Sequence, residues 1–402
     1  METQVCVVGG GPAGLMLGLL LARQGIEVMV LEKHADFLRD FRGDTVHSST
    51  LTLLDSLGLG ERMASLGGQR AKQLRMTFDD GTFTIADFSR LPGAHPYLLF
   101  VPQWDFLDML ASEAQKYSSF KLFRSTETIG VLRDASRDGA VTGVRARRRV
   151  EGDFDINAEL TVACDGRFST VRESLGLRPK EFGAPMDVLW FRVSRDVGDV
   201  EGLDLRFGAG GLMIVINRGE YYQCAFVIPK GGYDAVVAQG LDRLRERIGA
   251  LTPYLADRLK ELSTWDDIKL LTVRVDQLEQ WHGDGYLLIG DAAHAMSPIG
   301  GVGINLAIQD AVATARLLGS ALKSGRQLTD DDLAAIRRRR RLPTALTQRV
   351  QRLIQSRFLD PLLQSQGPAN SIAPLRLVSK YRMLQGIPAR LVGLGLRPEH
   401  LT

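Results

Sequence analysis

The chain has 402 residues, 45% of them hydrophobic and 24% charged, which is ordinary for a globular protein and excludes a disordered or fibrous one. The formal net charge is only +3, yet residues 331–402 hold 13 Lys/Arg against 4 Asp/Glu, a net +9, so residues 1–330 carry −6. An acidic body with a basic C-terminal stretch is a feature to explain.

The three cysteines, Cys6, Cys164 and Cys224, fit neither a disulfide framework nor a CxxC pattern and point to a reducing, cytoplasmic location. The six histidines show no HExxH spacing, so no metal site is expected. No run reaches the roughly 18 apolar residues of a membrane span. Val5–Ala22 is apolar enough to imitate a signal peptide, but Glu2 stands where a basic residue is expected and Gly9–Pro12 interrupts the run.

In chain order, Val5–Val8 is a β-branched run bounded by glycine and predicts a buried parallel strand. Pro12–Gln24 predicts a helix closed by Gly25, and Ile26–Glu32 a second buried strand, together a βαβ opening. Ser48–Leu57 predicts a helix capped by Ser48 or Ser49 and ended by Gly58. Leu74–Ala86 alternates around Asp79-Asp80-Gly81 as a hairpin does. Gln103–Lys116 is amphipathic, with Leu107, Leu110, Ala111 and Ala114 on one face. Ile129–Val162 reads as a three-stranded meander, and Val188–Val193, Gly211–Asn217 and Tyr221–Ile228 as further antiparallel strands. Leu241–Leu262 is helical with a break near Pro253; Tyr286–Ile289 is a short strand followed by a glycine-rich loop and a helix over Val302–Leu322. The remainder is mostly helical. Strand and helix patterns interleave, so the two layers they build share a discontinuous chain.

Three motifs carry chemistry. The first is Gly9-Gly10-Gly11-Pro12-Ala13-Gly14. Gly9 permits the tight turn, Gly11 lets the backbone approach a pyrophosphate at a helix N-terminus, and Gly14 lets helix and sheet pack closely. Glu32, 18 residues beyond Gly14, is placed to accept ribose hydroxyls and to repel a 2′-phosphate, which argues against NADP in this site; Lys33 beside it is counted with the same site. The second is Gly290-Asp291-Ala-Ala-His294 with Pro298-x-x-Gly301-Val302-Gly303-x-Asn305, a second place where backbone N–H groups before a helix are left open. A ligand anchored by its ADP half at Gly9–Gly14 and reaching this loop is long, as FAD is. The third is Cys164-Asp165-Gly166 through Arg172, after a strand.

These three motifs, in this order and approximate spacing, make the chain resemble the flavoprotein monooxygenases of the para-hydroxybenzoate hydroxylase type, the single-component (group A) aromatic hydroxylases, over most of residues 1–330. The resemblance implies an α/β fold: a Rossmann-like (GR2-type) FAD-binding domain over 1–72, 97–180 and 270–325, an inserted antiparallel-sheet substrate domain over 73–96 and 181–269, and a helical C-terminal segment over 326–402. It implies that Glu32 holds the adenosine ribose, Asp291 the ribityl chain, and Gly301–Asn305 the pyrimidine end of the flavin. Arg42 and Gln103 match positions that touch the cofactor, and Asp165 lies near the approach of NADPH or NADH. The implied reaction is hydroxylation of a phenolic ring with O2 through a flavin C4a-hydroperoxide. A helix N-terminus near Val302 suits the anionic reduced flavin, by roughly 0.3–2 kcal/mol.

Removal of a phenol's proton assists hydroxylation, so His47 is a candidate base, and Arg192, Tyr221, Tyr222 and Gln223 lie on strands expected to roof the pocket. Arg192 and Tyr222 are the catalytic candidates beside His47. His294 is expected to be structural. Arg337–Arg341 is expected to be a solvated helix face, with an acidic partner or an anionic membrane surface as the alternative, and nucleic acid is not expected. Leu375–Leu384 and Leu391–Leu396 are expected to pack against the FAD-binding part or a neighbouring subunit, in a monomer or homodimer. Competing readings are a double-bond reductase of isoprenoid chains and a membrane-associated hydroxylase of quinone synthesis. A halogenase is disfavoured because no two of Trp104, Trp190, Trp265 and Trp281 fall two apart, as a WxWxIP segment needs.

Overall fold

The structure, a computed structural model, describes residues 1–38, 45–199, 202–209, 211–365 and 367–401. The apolar run at the N-terminus forms strand β1 (Glu2–Val8), helix α1 (Pro12–Arg23) and strand β2 (Val28–Leu31). Next come β3 (Thr45–Val46), α2 (Ser48–Ser56), β4 (Gln69–Ala71), the hairpin β5 (Gln73–Phe78) and β6 (Gly81–Asp87), β7 (Leu98–Phe100) and α3 (Gln103–Ala114). Strand β8 (Phe120–Phe123) precedes the meander β9 (Thr126–Asp134), β10 (Ala140–Arg148) and β11 (Gly152–Ala163).

The first sheet has β1 at its centre. Val8 lies opposite Leu31 on one side and Ala163 on the other. Further along the chain come β12 (Met186–Ser194), β13 (Leu203–Gly208), β14 (Gly211–Asn217), β15 (Tyr221–Pro229), α4 (Leu241–Leu251), β16 (Lys269–Leu271) and β17 (Tyr286–Leu288). Strand β17 returns to the first sheet, with Leu288 opposite Ala163 in parallel register. Strands β17, β11, β1 and β2 therefore end in line, and Gly9, Glu32, Cys164-Asp165 and Gly290-Asp291 all leave the sheet at one edge. Open α/β sheets bind ligands at such an edge.

A second, seven-stranded sheet runs β16-β12-β15-β14-β13-β5-β6. Its alternation sends Leu189, Phe191, Val193, Tyr222, Cys224 and Phe226 into a core under α4. The opposite face carries Val188, Trp190, Ile214, Ala225 and Val227. Strand β13 escaped the sequence reading although Leu203, Leu205 and Phe207 alternate with Asp204 and Arg206, a period-two signal.

Helix α5 (Gly303–Lys323) packs on α1, with Gln24 Nε2 donating to the Ala315 carbonyl at 3.3 Å. Helices α6 (Asp330–Ile354), α7 (Ala373–Lys380) and α8 (Arg382–Gly393) complete the chain. Leu359, Leu363 and Ala369 cover the second sheet beside Phe78, Val188 and Val227, and Ser379 Oγ accepts the Thr84 N–H at 3.0 Å.

Three expectations are corrected. The N-cap of α2 is His47, not Ser48 or Ser49: its carbonyl accepts from Thr50 and Leu51, and its own N–H is held by Asn305, which fixes where the helix starts. Arg337–Arg341 is not simply a solvated face. Arg340 is fully buried between Asp310 and Glu399, and Arg339 also reaches Glu399, at 2.6 Å; buried carboxylates draw the cations in. Within Leu375–Leu384, Leu377, Tyr381 and Met383 stay largely exposed, because α7 and α8 meet β6 through their other faces.

Candidate active site

Glycine geometry shows which parts of the first motif close on the protein and which stay open. Gly9 has φ +104°, and a Cβ there would stand 2.5 Å from the Cys164 carbonyl; one on Gly14 would stand 1.9 Å from the Gly9 carbonyl. A Cβ on Gly10 would meet Glu32 at 3.0 Å, whereas one on Gly11 meets nothing within 4 Å. Helix α1 starts there with Pro12 in its first turn and no side-chain cap, so the N–H groups of Ala13 and Gly14 point to that open space. Glu32 is buried, accepts the Gly10 N–H at 3.1 Å and the His34 N–H at 2.9 Å, and so stands at the rim of the same space. Lys33 beside it is exposed, Gln103 is half-buried at the start of α3, and Arg42 lies outside the described residues.

The other two motifs are braced against each other. Arg167 Nη2 donates to Asp291 Oδ2 at 3.2 Å. Buried Arg172 donates to the Ala292 carbonyl at 3.1 Å and the Arg167 carbonyl at 2.6 Å, an anchor whose Ala292 partner lies too far along the chain for the motif to reveal. Asp165 accepts the Val171 N–H through Oδ2, while its buried Oδ1 has no partner, and burial pushes its carboxyl pKa up. After Gly290 and Pro298 the loop turns through Gly300 (φ +78°) and Gly301 (φ +61°), left-handed geometry that suits glycine. Helix α5 then opens at Val302 and Gly303 without a side-chain cap, and a Cβ on Gly303 would meet nothing within 4 Å.

Asn305 acts differently from expectation. Its Oδ1 accepts the His47 N–H (2.9 Å) and the Thr50 hydroxyl (2.8 Å), and its Nδ2 donates to the Thr45 and Gly301 carbonyls at 3.1 and 3.4 Å. The amide is spent on tying α5 to α2, so it shapes the loop instead of facing a ligand. His294 is structural, with Nε2 2.6 Å from Asp310 Oδ2.

Two uncapped helix N-termini, two glycines facing open space, a buried carboxylate at the rim of one and an unpartnered Asp165 oxygen fit FAD. Glu32 would hold the ribose, Gly11–Gly14 the diphosphate, Asp291 the ribityl chain, and Gly301–Gly303 the pyrimidine edge.

Above this loop lies the second sheet. Tyr222 belongs to the core under α4, on the face turned away from Trp190, so it is not a pocket residue; strand phase, unreadable from the sequence, decides this. Arg192 and Gln223 sit opposite each other on the Trp190 face, with Arg192 exposed. Gln223 Nε2 and Trp190 Nε1 are buried without partners, and Arg218 donates to Gln223 Oε1 at 2.9 Å while lying over the Phe100 ring. His47 is 2% exposed with Nε2 unpartnered; burial lowers its pKa to about 4, against the opposing pull of the Val392, Gly300 and Gly301 carbonyls. Trp190, Arg218, Phe100 and Val392 were missed, and only Trp190 and Phe100 carried a signal, as aromatics on alternating strands. A cavity of about 600 Å³ among Phe78, Arg206, Phe207, Arg247 and Leu251 is lined by none of the cofactor-motif residues.

The fold and site define a FAD-dependent flavoprotein monooxygenase. The chain belongs to the FAD binding domain family, which matches residues 2–350. It is similar to the 6-methylpretetramide 4-monooxygenase of Streptomyces rimosus, 35% identical over 362 residues, covering 89% of this chain and 84% of that protein. It is also 31% identical over 333 residues to a 12-dehydrotetracycline 5-monooxygenase/anhydrotetracycline 6-monooxygenase of the same species, covering 80% of this chain and 63% of the relative. Among solved structures, Pseudomonas aeruginosa PqsL with 2-aminobenzoylacetate superposes with a TM-score of 0.77 at 22% identity, over 90% of this chain and 97% of that one, a likeness of fold. Among the described residues no helix is long and apolar enough to cross a membrane, and no group of His, Cys, Asp or Glu could hold a metal ion.

Proposed function

We propose that this enzyme hydroxylates a phenolic ring of a fused polycyclic aromatic, using O2 and NADPH or NADH. The observation that carries the reading is the common edge at which Gly9, Glu32, Asp165 and Asp291 meet two open helix N-termini. The relatives named as monooxygenases of pretetramide and tetracycline compounds support a fused-ring substrate. FAD, when bound, supplies the redox and oxygen-transfer chemistry. The chain binds and orients it and excludes water. Residues 1–72, 97–180 and 270–325 bind the cofactor, and 73–96 with 181–269 roof the substrate. His47, neutral at pH 7, accepts a hydrogen bond from the substrate hydroxyl, and Arg192 lies opposite Gln223 on the Trp190 face of the second sheet. Three free cysteines support a cytoplasmic location.

The test is an oxygen electrode with purified holoenzyme, NADPH or NADH, and a panel of fused-ring phenols. Substrate-stimulated O2 uptake with a hydroxylated product is expected. A reduced double bond formed without O2 uptake, or no response to any phenol, overturns the reading.

A further inference from the structure

Helix α6 carries a buried polar stripe that the proposed reaction does not use. Arg340, Thr344, Gln348, Gln351 and Gln355 recur at helical spacing on one face, continuing into the turn after Ile354, and none is more than 3% exposed. A buried amide is costly unless its donors find acceptors. Here most of the acceptors belong to one segment. Gln348 Nε2 donates to the carbonyls of Ala295 (3.0 Å) and Asp276 (2.7 Å). Gln351 Nε2 spans the carbonyls of Ser297 (2.9 Å) and Ile299 (2.8 Å), and Gln355 Nε2 donates to Ser297 Oγ at 2.9 Å. At the other end Arg340 Nε donates to Asp310 Oδ1, and Asp310 Oδ2 accepts the Gly290 N–H at 3.1 Å.

The stripe thus grips residues 290–299 along their length and stops directly before Gly300 and Gly301. The Oε1 atoms of Gln348 and Gln351 have no partner, so it is the donors that the site uses. Gln351 and Gln355 lie beyond residue 350, where the family match ends.

We propose that Gln348, Gln351 and Gln355 are positioning residues for the flavin: they hold the loop backbone so that the open N–H groups at Val302 and Gly303 are aimed before the cofactor binds. This rests on the reading of residues 290–305 as the flavin-binding loop. Gln351→Met keeps the side chain's length and removes both donors. In the full-length enzyme it should raise the FAD dissociation constant roughly ten-fold and make the reduction potential of the bound flavin more negative. The exposed neighbour variant Arg349→Ser should change neither. A purely structural role lowers the unfolding midpoint of FAD-free protein while leaving affinity and potential at wild-type values, and that result overturns the proposal. If Gln351→Met does not fold, Gln355→Met, which removes one bond, carries the same test with a smaller expected shift. Asp291→Ala separates the two claims. If it leaves FAD affinity unchanged, the loop assignment itself fails; if it weakens FAD while the glutamine variants do not, only the positioning role fails.

Discussion

Arg340 and Asp310 form an ion pair that solvent does not reach: Nε stands 2.9 Å from Oδ1, and the side chains are 1% and 0% exposed. The same guanidinium lies 3.3 Å from Glu399, whose carboxylate also takes Arg316 and Arg339 at 2.9 and 2.6 Å. Asp310 also accepts the Gly290 N–H and pairs with His294, so the Glu399 segment is joined through buried charges to the start of the glycine-rich loop.

Arg340→Met should therefore be among the most destabilising single changes, costing about 3–5 kcal/mol because the buried Asp310 carboxylate loses its guanidinium partner. Urea unfolding measures this. Adding Asp310→Asn should restore part of the loss; strict additivity of the two changes would show that the pair does not interact.

Gly11 and Gly14 should separate folding from cofactor binding. Gly14→Ala forces a Cβ against the Gly9 carbonyl at 1.9 Å and should destabilise the protein. Gly11→Ala meets no protein atom within 4 Å, so the FAD-free protein should unfold at the wild-type midpoint. Its methyl group would enter the space we propose for the diphosphate, so FAD titration followed by flavin fluorescence should show a large loss of affinity.

His47 makes stability depend on pH in a defined window. Its folded pKa of about 4 lies below the ordinary 6.5. Between those values the unfolded chain binds a proton that the folded one refuses, so stability falls as pH drops through the window and the penalty is absent above it. At about 1.4 kcal/mol per pKa unit the full penalty below pH 4 is about 3–4 kcal/mol. His47→Gln cannot titrate, and its unfolding free energy should lose that part of the slope between pH 7.5 and pH 4.5.

Strand phase predicts opposite outcomes at neighbouring positions. Tyr222→Phe, on the face under α4, should leave the KM for the aromatic substrate unchanged. Gln223→Leu, on the Trp190 face with an unpartnered buried donor, should raise it several-fold, as loss of a hydrogen bond of about 1 kcal/mol does. Steady-state kinetics with NADPH or NADH saturating decides between them.

Much of this was legible because the signals are local. A GxGxxG between strand and helix, with Glu32 after the next strand, encodes a turn whose geometry nearby residues dictate, and the structure returns that turn. Hairpin β5–β6 and the meander followed from alternation and Asp/Gly turns in the same way. Tyr222 shows the limit. Alternation says that every second residue faces one way, but which side is covered depends on α4, which folds back from later in the chain.

The sequence by itself determined the family, the cofactor and the residues that leave the sheet at its binding edge, because glycine turns, strand runs and their spacing are set by neighbours along the chain. Only the tertiary structure decided that Asn305 ties helices together, that the basic run is anchored by the buried pairing of Arg340 with Asp310 and Glu399, and that Gln348, Gln351 and Gln355 grip the loop. Polar side chains are read from sequence as solvated, and they enter a core only where acceptors from distant segments offset their desolvation. Those acceptors exist only once the chain has folded.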